Sequence, residues 1–539
     1  LELLAQLDAA AVDSPEVAAA RAWRTLGRGE ATIALEGLDA ATNSFPSAAN
    51  LHYLRGLCLD RLGNHDLARQ AWERAQVLDA RHVPTRVALG RWHAQRRSQL
   101  AGDLFADVLD RLSPGHPGAT IERATYWIAT GQNSRQSREQ LDQLLDTRAT
   151  ALSAIERAQA HYARGRWFDA HGEPTKAADD FATALRLDPA NPMAAAARIE
   201  LLLQEDDLKG AAAALEEASA RGGAAERLRE LRALLQLRAG DAGAARAALG
   251  TPTGTNPVGQ RLLGDILVEL GDWPGAESAY NRALGLGDMD AVADRNLARA
   301  VQGNADALLH LQADTVKTSS AITSWRYGRA RLERGDLDNA LGHLDKAHRL
   351  DPQGTYRHRI PAVADLCRLY ELRGDVPEAK RACDEAIARR PALEAPHLSR
   401  ARVAALEGDD ATAYTLLTAL SARHPGDVTL TLALARAQIH QGRLSEAEAS
   451  LEHLMAKEEA TADLYVLQGL LEYYRYRHGF ALGYFQRALA ARNDDAEAHI
   501  HAARCLLYTG RPAAAAEHIR AARRDPRWAV AALSASSEY

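Results

Sequence analysis

AQAHYARGRWFDAHGEPTKAADDFATALRLDPAN, residues 158–191, is the stretch whose reading decides the architecture of this chain. Apolar and small side chains recur in it at helical spacing over two runs, residues 162–168 and 177–187, with Gly172-Glu173-Pro174 between them. The pattern predicts a helix, a tight turn and a second helix, stopped by Pro189. Gly165, Ala177 and Ala184 are small where two antiparallel helices must approach, and Phe168 and Phe181 are bulky where the gap between them has to be filled.

The rest of the chain consists largely of copies of this unit. With the turn glycine as anchor, the residues five, twelve and seventeen positions later are usually Ala, Ala and Pro. Fifteen anchors satisfy the pattern: Gly29, Gly63, Arg97, Gly131, Gly172, Asp206, Gly240, Gly271, Gly303, Gly335, Gly374, Gly408, Gly442, Tyr476 and Gly510. Twelve of the fourteen gaps between them lie within three residues of 34, and two are long.

A 34-residue unit carrying Gly, aromatic, Gly, Ala, aromatic, Ala and Pro in this order resembles the tetratricopeptide repeat. The resemblance covers residues 15–526, is best at 49–80, 158–191, 321–352 and 360–391, and is weakest in the units anchored at Arg97, Gly131 and Gly303. It implies an all-α, right-handed α-solenoid of about fifteen helix-turn-helix units, of the kind found in bacterial scaffold proteins.

Irregular spacings divide the array. Residues 1–14 have the apolar spacing of the second helix of a truncated upstream unit, or of an N-terminal cap. A first block spans 15–148. A second, 149–320, opens with a seven-residue surplus that extends the helix of 151–170 at its start, and it contains the non-helical GTPTGTNP loop of 250–257. The third block is 321–526, and residues 527–539 form a closing helix and tail.

Composition bounds the function. Aromatics make up only 5% of the 539 residues, and a net charge of -6 gives no general attraction to nucleic acid or to anionic membranes. No apolar run is long enough to cross a bilayer, so direct membrane insertion is not expected. Cys58, Cys367, Cys383 and Cys505 are too scattered for a disulfide framework and suit small buried positions; Cys367 and Cys383 stand on the two helices of one unit, and a bond between them stays open. No N-x-[ST] sequon occurs, in keeping with a bacterial chain; the compartment is unknown, with the cytoplasmic or the periplasmic face of an envelope assembly both compatible.

The chain carries no GxxxxGK[ST] loop, HExxH, paired CxxC or GxSxG, so no enzyme activity, cofactor or metal is expected. His499, His501 and Cys505 come nearest to a metal cluster but suit packing better. In the family that the chain resembles, the first helices line a concave surface, and their positions 2, 5, 9, 12 and 13 tend to face a bound peptide. Position 9 of the third block reads Arg329, Arg368, Arg402, Arg436, Leu470 and Arg504, a row of guanidinium groups suited to carboxylate or phosphate. Trp325, Tyr473 and Tyr474 fall at other groove positions as rigid contact area. The alternative is that each arginine pairs with a neighbour such as Asp365, Glu371 or Glu407 and joins units together. At position 7, Arg21, Arg55, Arg123, Arg164, Arg198, Arg232, Arg295 and Arg400 suit long stems lying on apolar surface. The expected function is a non-catalytic scaffold or adaptor that binds protein or peptide segments, acidic or phosphorylated ones in particular. The alternative is the binding arm of a larger envelope machine, such as polysaccharide export, pilus or secretion assembly, or of an enzyme whose catalytic domain lies elsewhere.

Overall fold

The computed structural model describes residues 14–147, 151–222, 225–354, 361–424, 426–455, 461–524 and 534. The helices expected within 1–14 and 527–535 lie outside the described residues, apart from Ser14 and Ser534. Thirty α-helices and no strand are present among the described residues, and they follow one another as antiparallel pairs in an α-solenoid. Two compact units divide the chain, Leu1–Leu231 and Arg232–Tyr539. In the first, the core is a succession of small clusters; in the second, one continuous cluster runs from Ala233 to Leu393.

Residues 158–191 fold as their pattern predicts. The first helix is Ala154–Ala170 and the second Pro174–Leu187, with Pro174 in the first turn, where its missing N–H costs nothing. The surplus residues before the first helix do extend it, to 17 residues against the 13 of Ala49–Arg61, but from Ala154 rather than from 151. Ser153 and Glu156 form a reciprocal capping box, so the helix starts at Ala154 and Leu152 is buried ahead of it. Gly165 marks the closest approach of the pair, where a Cβ would lie 2.6 Å from the Phe181 ring. The same glycine-to-ring contact recurs sixteen residues apart at Gly56 and Trp72, Gly264 and Tyr280, and Gly469 and Phe485.

All fifteen anchors have a positive φ, including the three that are not glycine: Arg97 at 52°, Asp206 at 65° and Tyr476 at 60°. The left-handed turn is therefore imposed by the helix pair even where the residue resists it. In the unit anchored at Arg97, Ala101 and Phe105 occupy the places that the period puts one residue later, and a π-helical turn, Val108–Leu112, takes up the displaced residue.

In one unit the glycine-to-ring contact is replaced by a covalent bond: Cys367 and Cys383, also sixteen residues apart, form a disulfide, resolving the alternative left open by the sequence. Cys58 and Cys505 are buried and free, and burial pushes their thiols up to about 11 and about 12. Of the 250–257 segment, 250–256 is non-helical, between Ala242–Leu249 and Pro257–Glu269, with Asn256 capping the second.

Candidate functional site

In the unit Arg232–Tyr539, successive first helices place their position-5 and position-9 side chains side by side, and three of the expected site residues meet in one network. Trp325 Nε1 donates to Asp365 Oδ2 at 2.7 Å, and Arg329 pairs with the same carboxylate. Arg329 Nε lies 3.0 Å from Glu333 Oε1, and Arg368 Nη1 reaches that oxygen at 2.8 Å. The helices Ala321–Glu333 and Val363–Arg373 are thus tied by a chain of alternating charge. Burial works against the charge of Arg329, yet the Asp365, Glu333 and Glu269 carboxylates outweigh it and hold the guanidinium proton more tightly than usual. Arg329 also lies over the Trp273 ring, 5.8 Å from its centroid.

This network floors a cavity of about 530 Å³. Leu270, Leu398, Leu420 and Leu430 supply apolar wall, and Ala395 and Thr429 are exposed on its lining. Its far side closes because Gly240 and Leu393, distant in sequence, touch: a Cβ on Gly240 would lie 2.7 Å from the Leu393 backbone nitrogen. Arg368, with its side chain 42% exposed, keeps an open face toward this space, whereas Arg329 is 14% exposed and ion-paired with Asp365 and Glu333.

The remaining position-9 arginines lie further along and do not join the network. Arg402 approaches Glu371 at 3.3 Å and stays half exposed, and Arg436 pairs with Glu497 two units on. Arg504 stands beside Tyr473 and His501, and it has no ion pair among the described residues. Tyr473 and Tyr474 meet edge to face at 5.7 Å. The row expected to be positive is therefore mostly a row of ion pairs, and around Arg329 and Arg368 the carboxylates of Asp365, Glu333 and Glu269 outnumber the guanidinium groups. Position 7 behaves similarly rather than leading its charge outward: Arg55 pairs with Asp39 at 2.6 Å, Arg164 with Asp180 at 2.8 Å and Asp142 at 2.9 Å, and Arg400 with Asp384 at 2.9 Å. Arg123 instead covers the Trp127 ring at 4.7 Å.

His501 packs in the core, stacked on Phe485 at 5.7 Å, and among the described residues no group of three His, Cys, Asp or Glu side chains is placed to hold a metal. Sequence reasoning missed the cavity walls and a second cavity of about 520 Å³ in Leu1–Leu231, lined by Tyr126, Tyr162 and Met193. Glu333 was findable, standing four residues after Arg329 on one helical face.

Repeated helix pairs joined by left-handed turns define a helical-repeat protein. Two family models, both described as tetratricopeptide repeat, match it: one at residues 20–81, 129–192, 168–226, 231–293 and 466–527, the other at 404–471. The chain belongs to the tetratricopeptide repeat family, whose fold generally serves protein–protein interaction. No curated protein matches the sequence. Among solved structures, a chain of the APC/C hetero-tetramer Cut9–Hcn1 is 16% identical with a TM-score of 0.52, covering 90% of this chain and 95% of its own. A tetratricopeptide repeat protein of Parabacteroides merdae is 18% identical over 45% of this chain and 96% of its own, with a TM-score of 0.32. One from Thermus thermophilus is 23% identical over 35% of this chain and all of its own, with a TM-score of 0.30. At these identities the likeness concerns the fold alone.

Proposed function

We propose that this chain is a non-catalytic scaffold that holds an extended segment of another protein in the cavity between Gly240 and Leu430. The observation that carries the reading is the cavity itself, about 530 Å³ with leucine walls and a floor held in place by the ion pairs of Arg329 and Arg368. Such a floor is pre-ordered, so little entropy is lost when a partner arrives. Leu398 and Leu430 take apolar side chains, and the open faces of Arg368 and Arg402 take carboxylate or phosphate groups flanking them. The acidic character of the partner thus rests on these two side chains rather than on the whole arginine row.

Selection of random displayed peptides on the full chain tests this reading. Peptides enriched on the native protein through the cavity lose binding to Ala395→Trp, which narrows it without replacing an ion-pair residue, and Arg368→Gln weakens those that carry carboxylates. The reading is overturned if no enriched peptide loses binding to Ala395→Trp.

A further inference from the structure

Away from the cavity, the aromatic side chains of the last units are distributed unlike those of the rest of the chain. Among the described residues five large aromatics are exposed, and all but Trp23 belong to one neighbourhood: Tyr474, Tyr476, Phe480 and Tyr508. His440, Tyr474 and Tyr508 stand two residues before the turn anchors of three successive units, so they line the edge where first helices end. Their rings form a connected series. His440 meets Tyr474 at 6.0 Å, Tyr474 meets Tyr473 at 5.7 Å, and Tyr473 meets Tyr508 at 6.3 Å. His478 stacks on Tyr508 at 4.5 Å with the planes 9° apart, and Tyr476 adjoins His478 at 6.4 Å.

Tyr476 stands apart from the other rings in its backbone as well as its exposure. It occupies a turn anchor with φ 60°, where twelve of the fifteen anchors are glycine, and its side chain is 86% exposed. A bulky residue in this conformation is strained, and almost no packing of the ring compensates. Strain retained without a folding benefit points to a use for the exposed ring.

Charge chooses the partner. Arg475 is engaged by Glu448 and Glu472, Arg477 by Glu472 and Arg436 by Glu497. Arg504, one helical turn before Tyr508 on the same face, has no ion pair among the described residues, so this edge carries a surplus positive charge next to its rings. We propose that the edge formed by Tyr474, Tyr476, His478, Phe480 and Tyr508 is a docking surface, separate from the cavity, for an acidic extended segment of a partner protein whose carboxylate pairs with Arg504. The aromatic faces supply flat contact area for the segment's apolar or prolyl side chains, and the guanidinium fixes its register. A single guanidinium without an ion pair among the described residues suits one carboxylate rather than a nucleic acid strand, whose binding rests on several phosphate contacts.

The test uses the full chain and a fluorescein-labelled peptide of alternating glutamate and proline, which is extended by composition. Fluorescence anisotropy is expected to show binding at least about tenfold tighter than that of the lysine–proline counterpart, weakening as salt is raised from about 50 to about 500 mM. Tyr476→Gly combined with Tyr508→Ser is expected to weaken binding by at least about tenfold with helix content unchanged, and Arg504→Gln to abolish the salt dependence. Ala395→Trp, in the cavity, is expected to leave binding intact. Equal affinity for the two peptides, loss of binding in Ala395→Trp, tighter binding of a single-stranded oligonucleotide, or sedimentation showing a dimer that Tyr476→Gly dissociates would each overturn the proposal.

Discussion

Replacing Arg329 with methionine keeps the length of the side chain and deletes its charge. The guanidinium is 14% exposed and faces Asp365, 7% exposed, and Glu333, 12% exposed. Its removal leaves two poorly hydrated carboxylates near each other, with Asp365 keeping, among the described residues, the 2.7 Å bond from Trp325 and Glu333 keeping Arg368. Breaking a buried pair from one side costs roughly 3 to 5 kcal/mol. Arg402→Met removes a pair of 3.3 Å whose arginine is 48% exposed, and the cost there is about 0 to 1 kcal/mol because water screens it. Hydrogen exchange, read on the helices Ala321–Glu333 and Val363–Arg373, separates the two. Arg329→Met is expected to accelerate exchange in both helices by at least about a hundredfold, since each 1.4 kcal/mol of lost opening free energy is a factor of about ten. Arg402→Met is expected to change exchange locally by less than about tenfold. Adding Asp365→Ala to Arg329→Met removes one stranded charge, so the double variant should lose less than the sum of the singles. Equal effects of Arg329→Met and Arg402→Met would refute the assignment of the first arginine to a buried strut.

Gly165→Leu drives a side chain into the Phe181 ring, which a Cβ alone would approach to 2.6 Å, and is expected to destabilise the pair Ala154–Ala170 and Pro174–Leu187 by about 1 to 3 kcal/mol in urea unfolding; an unchanged midpoint contradicts the seam. Tyr476→Gly relieves a left-handed tyrosine and is expected to stabilise its unit by about 1 kcal/mol, seen as slower exchange in Ala462–Tyr474; faster exchange would show that the ring supports the fold. His501 is held down to about 3 by burial first and then by Arg504, Arg436 and His440. Its unfolded value is near 6.5, so the unfolded chain binds the extra proton between the two: stability is unaffected by this group above about pH 6.5 and falls as pH drops toward 3. His501→Phe is expected to flatten that fall in a pH series of exchange rates on Ala496–Tyr508, and an unaltered slope would place the titration elsewhere.

The repeat was legible in the sequence because each unit spells its own constraints. Gly165 against Phe181 and the left-handed anchors are local demands, sixteen residues or fewer apart, and they recur often enough to fix the register of every helix pair. Tyr476 and Arg97 keep the turn without the glycine, since the two helices they join dictate the backbone. The arginine row was visible, but its charge state was not. Position 9 is a property of single units, whereas neutralisation depends on Asp365, 36 residues after Arg329, and Glu497, 61 after Arg436. The cavity was invisible for the same reason, because Gly240 and Leu393 meet only through the stacking of the units between them. The disulfide stayed open since Cys at both closest-approach positions suits packing and bonding equally.

The central claim is that the cavity between Gly240 and Leu430 holds a protein segment. Hydrogen exchange of the full chain, with and without a saturating displayed-library peptide, tests it most directly. The peptide is expected to slow exchange in Ala321–Glu333, Val363–Arg373 and Glu394–Glu407, the helices that carry Trp325, Asp365 and Leu398, and Ala395→Trp to abolish the effect. Protection confined to helices outside these three, or protection unchanged in Ala395→Trp, would contradict it.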